Sequence, residues 1–261
     1  MIGQEKILNK LKSYTINTLP KNLLFLGPYG SGKHTIAREV AKYYGVDIIE
    51  LSAANFEDEK LIEYQQDPLD KLYVIDLDTF LLTQQNKFLK FIEEPGLHVF
   101  TVLTASSENS VLPTILNRCI KYRLEDYTID QLKQIRNFND EKIYQICKTP
   151  LQLIKANEVQ IAQLAGMCRN IVDNISKVDI SQVLRISNNI NYAEDYNKFD
   201  FDLFFSTLQY TAYNDFIATK NLNSYKIYIF TAQYLQKLLY KNISKESFLL
   251  VYLSELKIFL G

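Results

Sequence analysis

Gly27-Pro28-Tyr29-Gly30-Ser31-Gly32-Lys33-His34-Thr35 lies between an apolar run, Leu23-Leu24-Phe25-Leu26, and the segment Ile36-Ala37-Arg38-Glu39-Val40-Ala41-Lys42-Tyr43-Tyr44. The glycines therefore fall where a buried strand ends and a helix begins. That is the setting of a phosphate-binding loop. Glycines let the backbone curl so that several N–H groups face one anion, the helix N-terminus adds positive potential, and a lysine adds a full charge. Gly27, Pro28, Gly30, Ser31, Gly32 and Lys33 are the candidate cradle. The competing reading is an ordinary Gly-rich strand–helix turn. The Gly-Lys pair at the head of a helix weighs against it.

The loop departs from a working one at a single position. A hydrolytic loop carries Ser or Thr directly after the lysine, and that hydroxyl binds Mg²⁺. Here the position is His34. Imidazole is a poor ligand for a hard, oxygen-seeking ion. Thr35 is one residue on, rotated by about 100° around the helix, so it cannot simply substitute. It is kept among the nucleotide-contact candidates. The loop is expected to hold phosphate and to handle the metal badly.

Downstream, apolar strands alternate with helical segments. Val46-Asp47-Ile48-Ile49-Glu50-Leu51, Leu72-Tyr73-Val74-Ile75-Asp76, Val99-Phe100-Thr101-Val102-Leu103-Thr104 and Ile120-Lys121-Tyr122-Arg123-Leu124 read as strands. The alternation predicts an α/β domain with a parallel sheet and ligands at the strand C-termini. Asp76 ends its strand where a Walker-B aspartate would sit. Capping the next helix is its alternative role. A hydrolase usually places Glu next, to activate water; here it is Leu77, which has no acceptor. Asp78 would face the same side as Asp76 on an extended strand. Thr104, at the end of its own strand, could hold a phosphate or water or merely cap the loop. Glu5 to Tyr14 and Leu81 to Glu94 are predicted helices, the latter ended by Pro95-Gly96.

Composition bounds the rest. The chain has 261 residues, enough for an α/β domain plus helical modules, and a net charge of −1 gives no overall basic field for nucleic acid. Cys119, Cys147 and Cys168 form no CxxC pair, so no zinc site or disulfide framework is expected. The first residues lack the apolar core of a signal peptide, and no run approaches ~20 apolar residues. A cytoplasmic protein with no membrane partner is expected.

Beyond residue 125 the pattern is helical. Ile129 to Phe138, Asp140 to Cys147 and a segment from Thr149-Pro150 read as short helices. Longer amphipathic stripes follow: Ile161, Leu164, Cys168, Ile171 and Ile175; then Phe201, Leu203, Phe204, Leu208 and Tyr213; then Tyr225 to Tyr240 and Phe248 to Leu260.

Together these pieces resemble the AAA+ clamp-loader subunits of bacterial replication, most closely the delta-prime branch. The residues that carry the resemblance are Ile2-Gly3-Gln4, Gly27 to Lys33, Asp76, Asn86-Lys87-Phe88-Leu89-Lys90-Phe91-Ile92-Glu93-Glu94-Pro95, and Leu112-Pro113-Thr114-Ile115-Leu116-Asn117-Arg118-Cys119. The family typically shows N-A-L-L-K-x-L-E-E-P and L-x-P-T-I-x-S-R-C for the last two. Order and spacing match over about the first half of the chain.

The resemblance implies an AAA+ P-loop domain over 1–124, a helical lid over 125–157 and a helical collar that holds an oligomer over 158–261. It also implies a trans role for Arg118, whose counterpart reaches across a subunit boundary to a neighbour's ATP. A guanidinium suits this because it grips γ-phosphate oxygens with two hydrogen bonds. The alternative for Arg118 is a surface salt bridge at a helix end. Asn117 replaces the usual serine. The family's second-sensor arginine is missing, with Lys155 the nearest cation, and so is the four-cysteine zinc module of many members.

His34 and Leu77 remove both groups of the hydrolysis chemistry, which the family's hydrolysing subunits keep; delta-prime subunits are commonly the ones that do not hydrolyse ATP. The implied protein binds gamma/tau-like and delta-like subunits, helps load the sliding clamp on primed DNA, and does not hydrolyse ATP itself; its own ATP site is weak or vestigial and its use of Mg²⁺ open. The alternative is an active AAA+ ATPase, such as a gamma/tau-like motor subunit or another replication or repair ATPase.

Overall fold

The computed structural model describes residues 2–179, 181, 201–238 and 245–261. They form two compact units, 1–137 with 149–151, and 138–148 with 152–261. Tyr240, the end of one expected stripe, lies outside the described residues.

The first unit is built on five parallel strands: β1 (Asn22–Leu26), β2 (Asp47–Leu51), β3 (Lys71–Asp76), β4 (Val99–Ala105) and β5 (Ile120–Arg123). Their order in the sheet is β2-β3-β4-β1-β5. Strands buried on both faces need apolar side chains throughout, which is why β1 and β4 read as continuous apolar runs. Successive residues face opposite sides. Leu23, Phe25, Leu72, Val74, Phe100 and Val102 pack under α1 (Glu5–Lys12) and α2 (Lys33–Tyr44) with Leu11, Ile36 and Val40. Leu24, Leu26, Tyr73, Ile75 and Leu103 face the other layer with Phe80, Phe88, Phe91 and Ile115. The result is a helix–sheet–helix sandwich of the AAA+ P-loop type. Gly45 ends α2 at φ +67, the left-handed conformation that a glycine C-cap permits.

That second layer holds α3 (Lys60–Gln65), α4 (Leu82–Gln85), α5 (Leu89–Glu93) and α6 (Pro113–Leu116). The single helix expected over 81–94 is instead two helices with a 3₁₀ turn, Asn86–Phe88, between them. Three side chains fix the break. Gln85 is fully buried, donating to the carbonyls of Ser110 (2.8 Å) and Leu77 (3.4 Å) and accepting from the Leu112 N–H (3.0 Å). The Asn86 amide donates back to Thr83 O at 3.1 Å. Phe88 turns inward against Phe56 and Phe80, with ring centroids 4.7 and 5.0 Å away. The unit also includes α7 (Ile129–Ile135), opened by a Thr128–Gln131 capping box; it stops short of the expected Phe138.

The second unit is helical. It holds α8 (Lys142–Ile146), most of α9 (Pro150–Lys155), and the longer α10 (Glu158–Asn174), α11 (Phe201–Thr219), α12 (Leu222–Leu238) and α13 (Lys245–Leu260). The stripe Ile161, Leu164, Cys168, Ile171 and Ile175 is buried throughout. The next one differs at its end. Leu203, Phe204 and Leu208 are buried, but Tyr213 is exposed and packs on Tyr228, centroids 5.4 Å apart. Phe205 and Thr207 are buried as well, so α11 is covered on more than one side. Polar groups inside pair with one another: buried Asp215 accepts from Ser224 Oγ and pairs with Arg169 at 2.9 Å. Thr231 Oγ1 and Tyr252 Oη lie 2.6 Å apart. Among the described residues, no helix is long and apolar enough to cross a membrane.

Candidate functional site

In a parallel sheet the strand C-termini share one edge, and the register decides which residues meet there. Asp76 on β3 is paired with Thr104 on β4, and Leu26, the last residue of β1, with Ala105. The loop leaving β1 thus starts beside Asp76 and Thr104. Its first N–H, on Gly27, donates to Ala105 O at 3.1 Å and continues the sheet by one bond. The chain then turns: Ser31 N–H donates to Pro28 O (3.2 Å), and Gly30 and Gly32 take φ of +76 and +98. Only glycine adopts these values without strain. Gly30 has a second constraint. An added Cβ would stand 2.5 Å from Leu151 Cβ and 3.0 Å from Thr149 Oγ1, and its carbonyl accepts from the Leu151 N–H at 3.3 Å. Tyr127 Oη donates to Ser31 O at 2.9 Å, tying the loop to the segment after β5.

Lys33 opens α2 and is buried. Its ammonium donates to the carbonyls of Gly27 (2.6 Å) and Pro28 (3.1 Å). Burial lowers its pKa, an effect partly offset by Asp78 and Asp76. His34 comes next and faces the strand ends. Its Nδ1 is 3.5 Å from Glu50 Oε2; its Nε2 is 3.5 Å from Thr104 Oγ1 and 3.9 Å from Asp76 Oδ2. Thr35 is exposed on α2.

Asp76 makes no helix-capping hydrogen bond; Thr104 Oγ1 donates to its carboxylate at 3.3 Å. Burial, with Asp78 nearby, raises its pKa, against the pull of His34 and Lys33. Leu77 is completely buried and offers nothing to polarise water. Asp78 accepts hydrogen bonds from Ser106 and Ser110, the second at 3.0 Å. Glu50, at the end of β2, is held by two hydrogen bonds from Arg38 (2.7 and 3.0 Å), the main cause of its lowered pKa. Sequence reasoning did not single out Glu50, Tyr127 or the Thr149–Leu151 contact. The one available signal was an acid near a strand's C-terminal end.

Arg118 follows α6, away from the loop in sequence and exposed, with 38% of its side chain accessible. Nη1 donates to Thr114 O at 2.7 Å, and Nη2 is 2.6 Å from Glu93 Oε1. These bonds join the two sequence motifs that carry the family resemblance. They leave the other N–H donors of the guanidinium for an outside acceptor. Cys119 packs against the core, and burial pushes its thiol pKa up to about 12.

A sheet of this order, a glycine loop closing on a lysine, and an acid and a threonine at neighbouring strand ends define an AAA+ P-loop module. Among solved structures, a mutant of RuvB from Thermotoga maritima shares the fold: TM-score 0.50, 18% identity, 75% of this chain and 73% of that one. Curated relatives narrow the class. The chain is 28% identical over 171 residues to DNA polymerase III subunit tau of Salmonella typhimurium, covering 51% of this chain and 26% of that protein. It is 27% identical over 150 residues to replication factor C subunit 3 of Blastobotrys adeninivorans, covering 50% and 44%. The chain thus spans less than half the length of either relative. A family model described as "DNA polymerase III, delta subunit" matches residues 58–128. Over about half its length the chain is thus similar to subunits of DNA polymerase III and replication factor C.

Proposed function

We propose that this chain is a delta-prime-like clamp-loader subunit that presents Arg118 to the ATP of an adjacent subunit and does not hydrolyse ATP itself. It assembles with gamma/tau-like and delta-like subunits and helps place the sliding clamp on primed DNA. Residues 125–157 serve as the lid and 158–261 as the collar. The observation that carries this reading is Arg118: an exposed guanidinium, steadied by Glu93 and Thr114, with N–H donors left for a neighbour's phosphate. The loop's own chemistry fits the passive half of the role. Leu77 is buried where a water-activating acid would stand, and Asp78 is engaged by Ser106 and Ser110.

A second reading, an active AAA+ ATPase, draws support from Lys33, Asp76 and Thr104, all set at one sheet edge. ATP turnover by the purified chain separates the two. No turnover above background is expected, alone or with partner subunits whose own sites are disabled. Robust turnover that disappears in Lys33→Ala would establish the second reading instead.

A further inference from the structure

In a hydrolytic phosphate loop, Mg²⁺ sits between the hydroxyl that follows the lysine and the acid at the neighbouring strand end. In this chain the His34 ring stands there, 3.9 Å from Asp76 Oδ2, 3.5 Å from Thr104 Oγ1 and 3.5 Å from Glu50 Oε2. Mg²⁺ requires oxygen ligands at about 2.0–2.1 Å in a near-ideal octahedron and keeps several waters. An ion bound to Asp76 at that distance and facing His34 would meet the imidazole nitrogen at about 2 Å, a nitrogen donor where Mg²⁺ selects oxygen. The residues at this position therefore do not fit Mg²⁺.

The anion side of the same loop is intact. The first-turn N–H groups of α2 have no partner within the helix, and no side chain caps them. Gly30 and Gly32 hold the curled backbone, and the Lys33 ammonium lies inside the loop on two carbonyls that a phosphate could replace. Ser31 Oγ is buried within the loop, 3.0 Å from where a Cβ on Gly27 would stand, and has no hydrogen-bond partner.

We infer that this loop takes a nucleotide polyphosphate without a divalent cation, the His34 ring occupying the place of the metal against Asp76 and Thr104. The inference rests on the reading of residues 27–35 as a phosphate loop and is independent of the role of Arg118.

The test is ATP binding to the full chain by calorimetry, in EDTA and in excess MgCl₂, for wild type and His34→Thr. Wild-type affinity is expected to agree within about twofold between the two buffers, while His34→Thr tightens about tenfold or more on adding Mg²⁺. Wild type tightening tenfold with Mg²⁺ would overturn the inference, as would His34→Thr behaving like wild type. Absence of ATP binding in both buffers would also overturn it, while leaving the loader reading to its own test at Arg118. Should His34→Thr fail to fold, the wild-type comparison alone decides.

Discussion

Asp76 is asked to stay ionised in a place that disfavours charge. Burial raises its pKa, with Asp78 adding like-charge repulsion and His34 and Lys33 only partly compensating. A carboxyl whose folded pKa is raised opposes folding when ionised. That penalty is present above the folded pKa and fades as pH falls toward the ordinary value of about 4. Asp76→Asn should therefore melt at a higher temperature than wild type at pH 7, and the gap should close toward pH 3. No gain at neutral pH, or a gain that grows on acidification, would contradict this assignment. Asp78 serves the fold as a hydrogen-bond acceptor. Asp78→Ala removes the acceptor of the Ser106 hydroxyl and one of two acceptors of buried Ser110, which also reaches Ser107 O at 2.9 Å, and should cost about 1–3 kcal/mol in urea unfolding. At this scale the sequence disclosed the groups that follow from motif chemistry: Lys33, His34, Asp76, Leu77 and Thr104. It did not disclose Glu50, because that role depends on which strand lies beside β3 and where α2 sends His34 and Arg38.

Among the elements, strands were legible and the layer around α4 and α5 was not. A strand buried on both faces announces itself as an apolar run, as β1 and β4 do. Helical periodicity over 81–94 gives no hint that Gln85 is a polar anchor reaching Leu77, Ser110 and Leu112, and that anchoring accompanies the 3₁₀ turn. The end of α5 is equally constrained. The Gln65 amide donates to Glu94 O at 2.8 Å, and a Cβ on Gly96 would fall 2.0 Å from the Gln65 carbonyl oxygen. The obstacle is backbone, so it cannot swing aside, and Gly96→Ala should destabilise by about 1–3 kcal/mol. Gly166, inside α10, is the contrast: nothing lies within 4 Å of an added Cβ. There Ala lowers the entropy of the unfolded chain and suits a helix, so Gly166→Ala should stabilise by about 0.5–1 kcal/mol. Denaturant midpoints of the two variants moving in the same direction would contradict this packing account.

The molecule as a whole divides into a sheet-based unit and a helical one whose chain segments interleave, 138–148 joining the second and 149–151 the first. Hydrophobic periodicity reports which face of a helix is buried, not which body it joins, so this interleaving has no signature in the sequence. The α/β character of the first unit did, because glycine loop, strand-end acid and alternating elements all point to one architecture. With a net charge of −1 the chain has no general field for DNA. On the proposed function this chain assists a neighbour's hydrolysis through Arg118 while performing none itself. The most direct measurement is ATP turnover on primed DNA by a reconstituted loader carrying wild-type chain or Arg118→Ala, with folding and assembly checked by melting and size exclusion. Arg118→Ala should give an intact assembly that loses the turnover of the adjacent site, a finger being worth roughly three orders of magnitude or more in rate at its own site. An assembled loader whose DNA-stimulated turnover is unchanged by Arg118→Ala would contradict it.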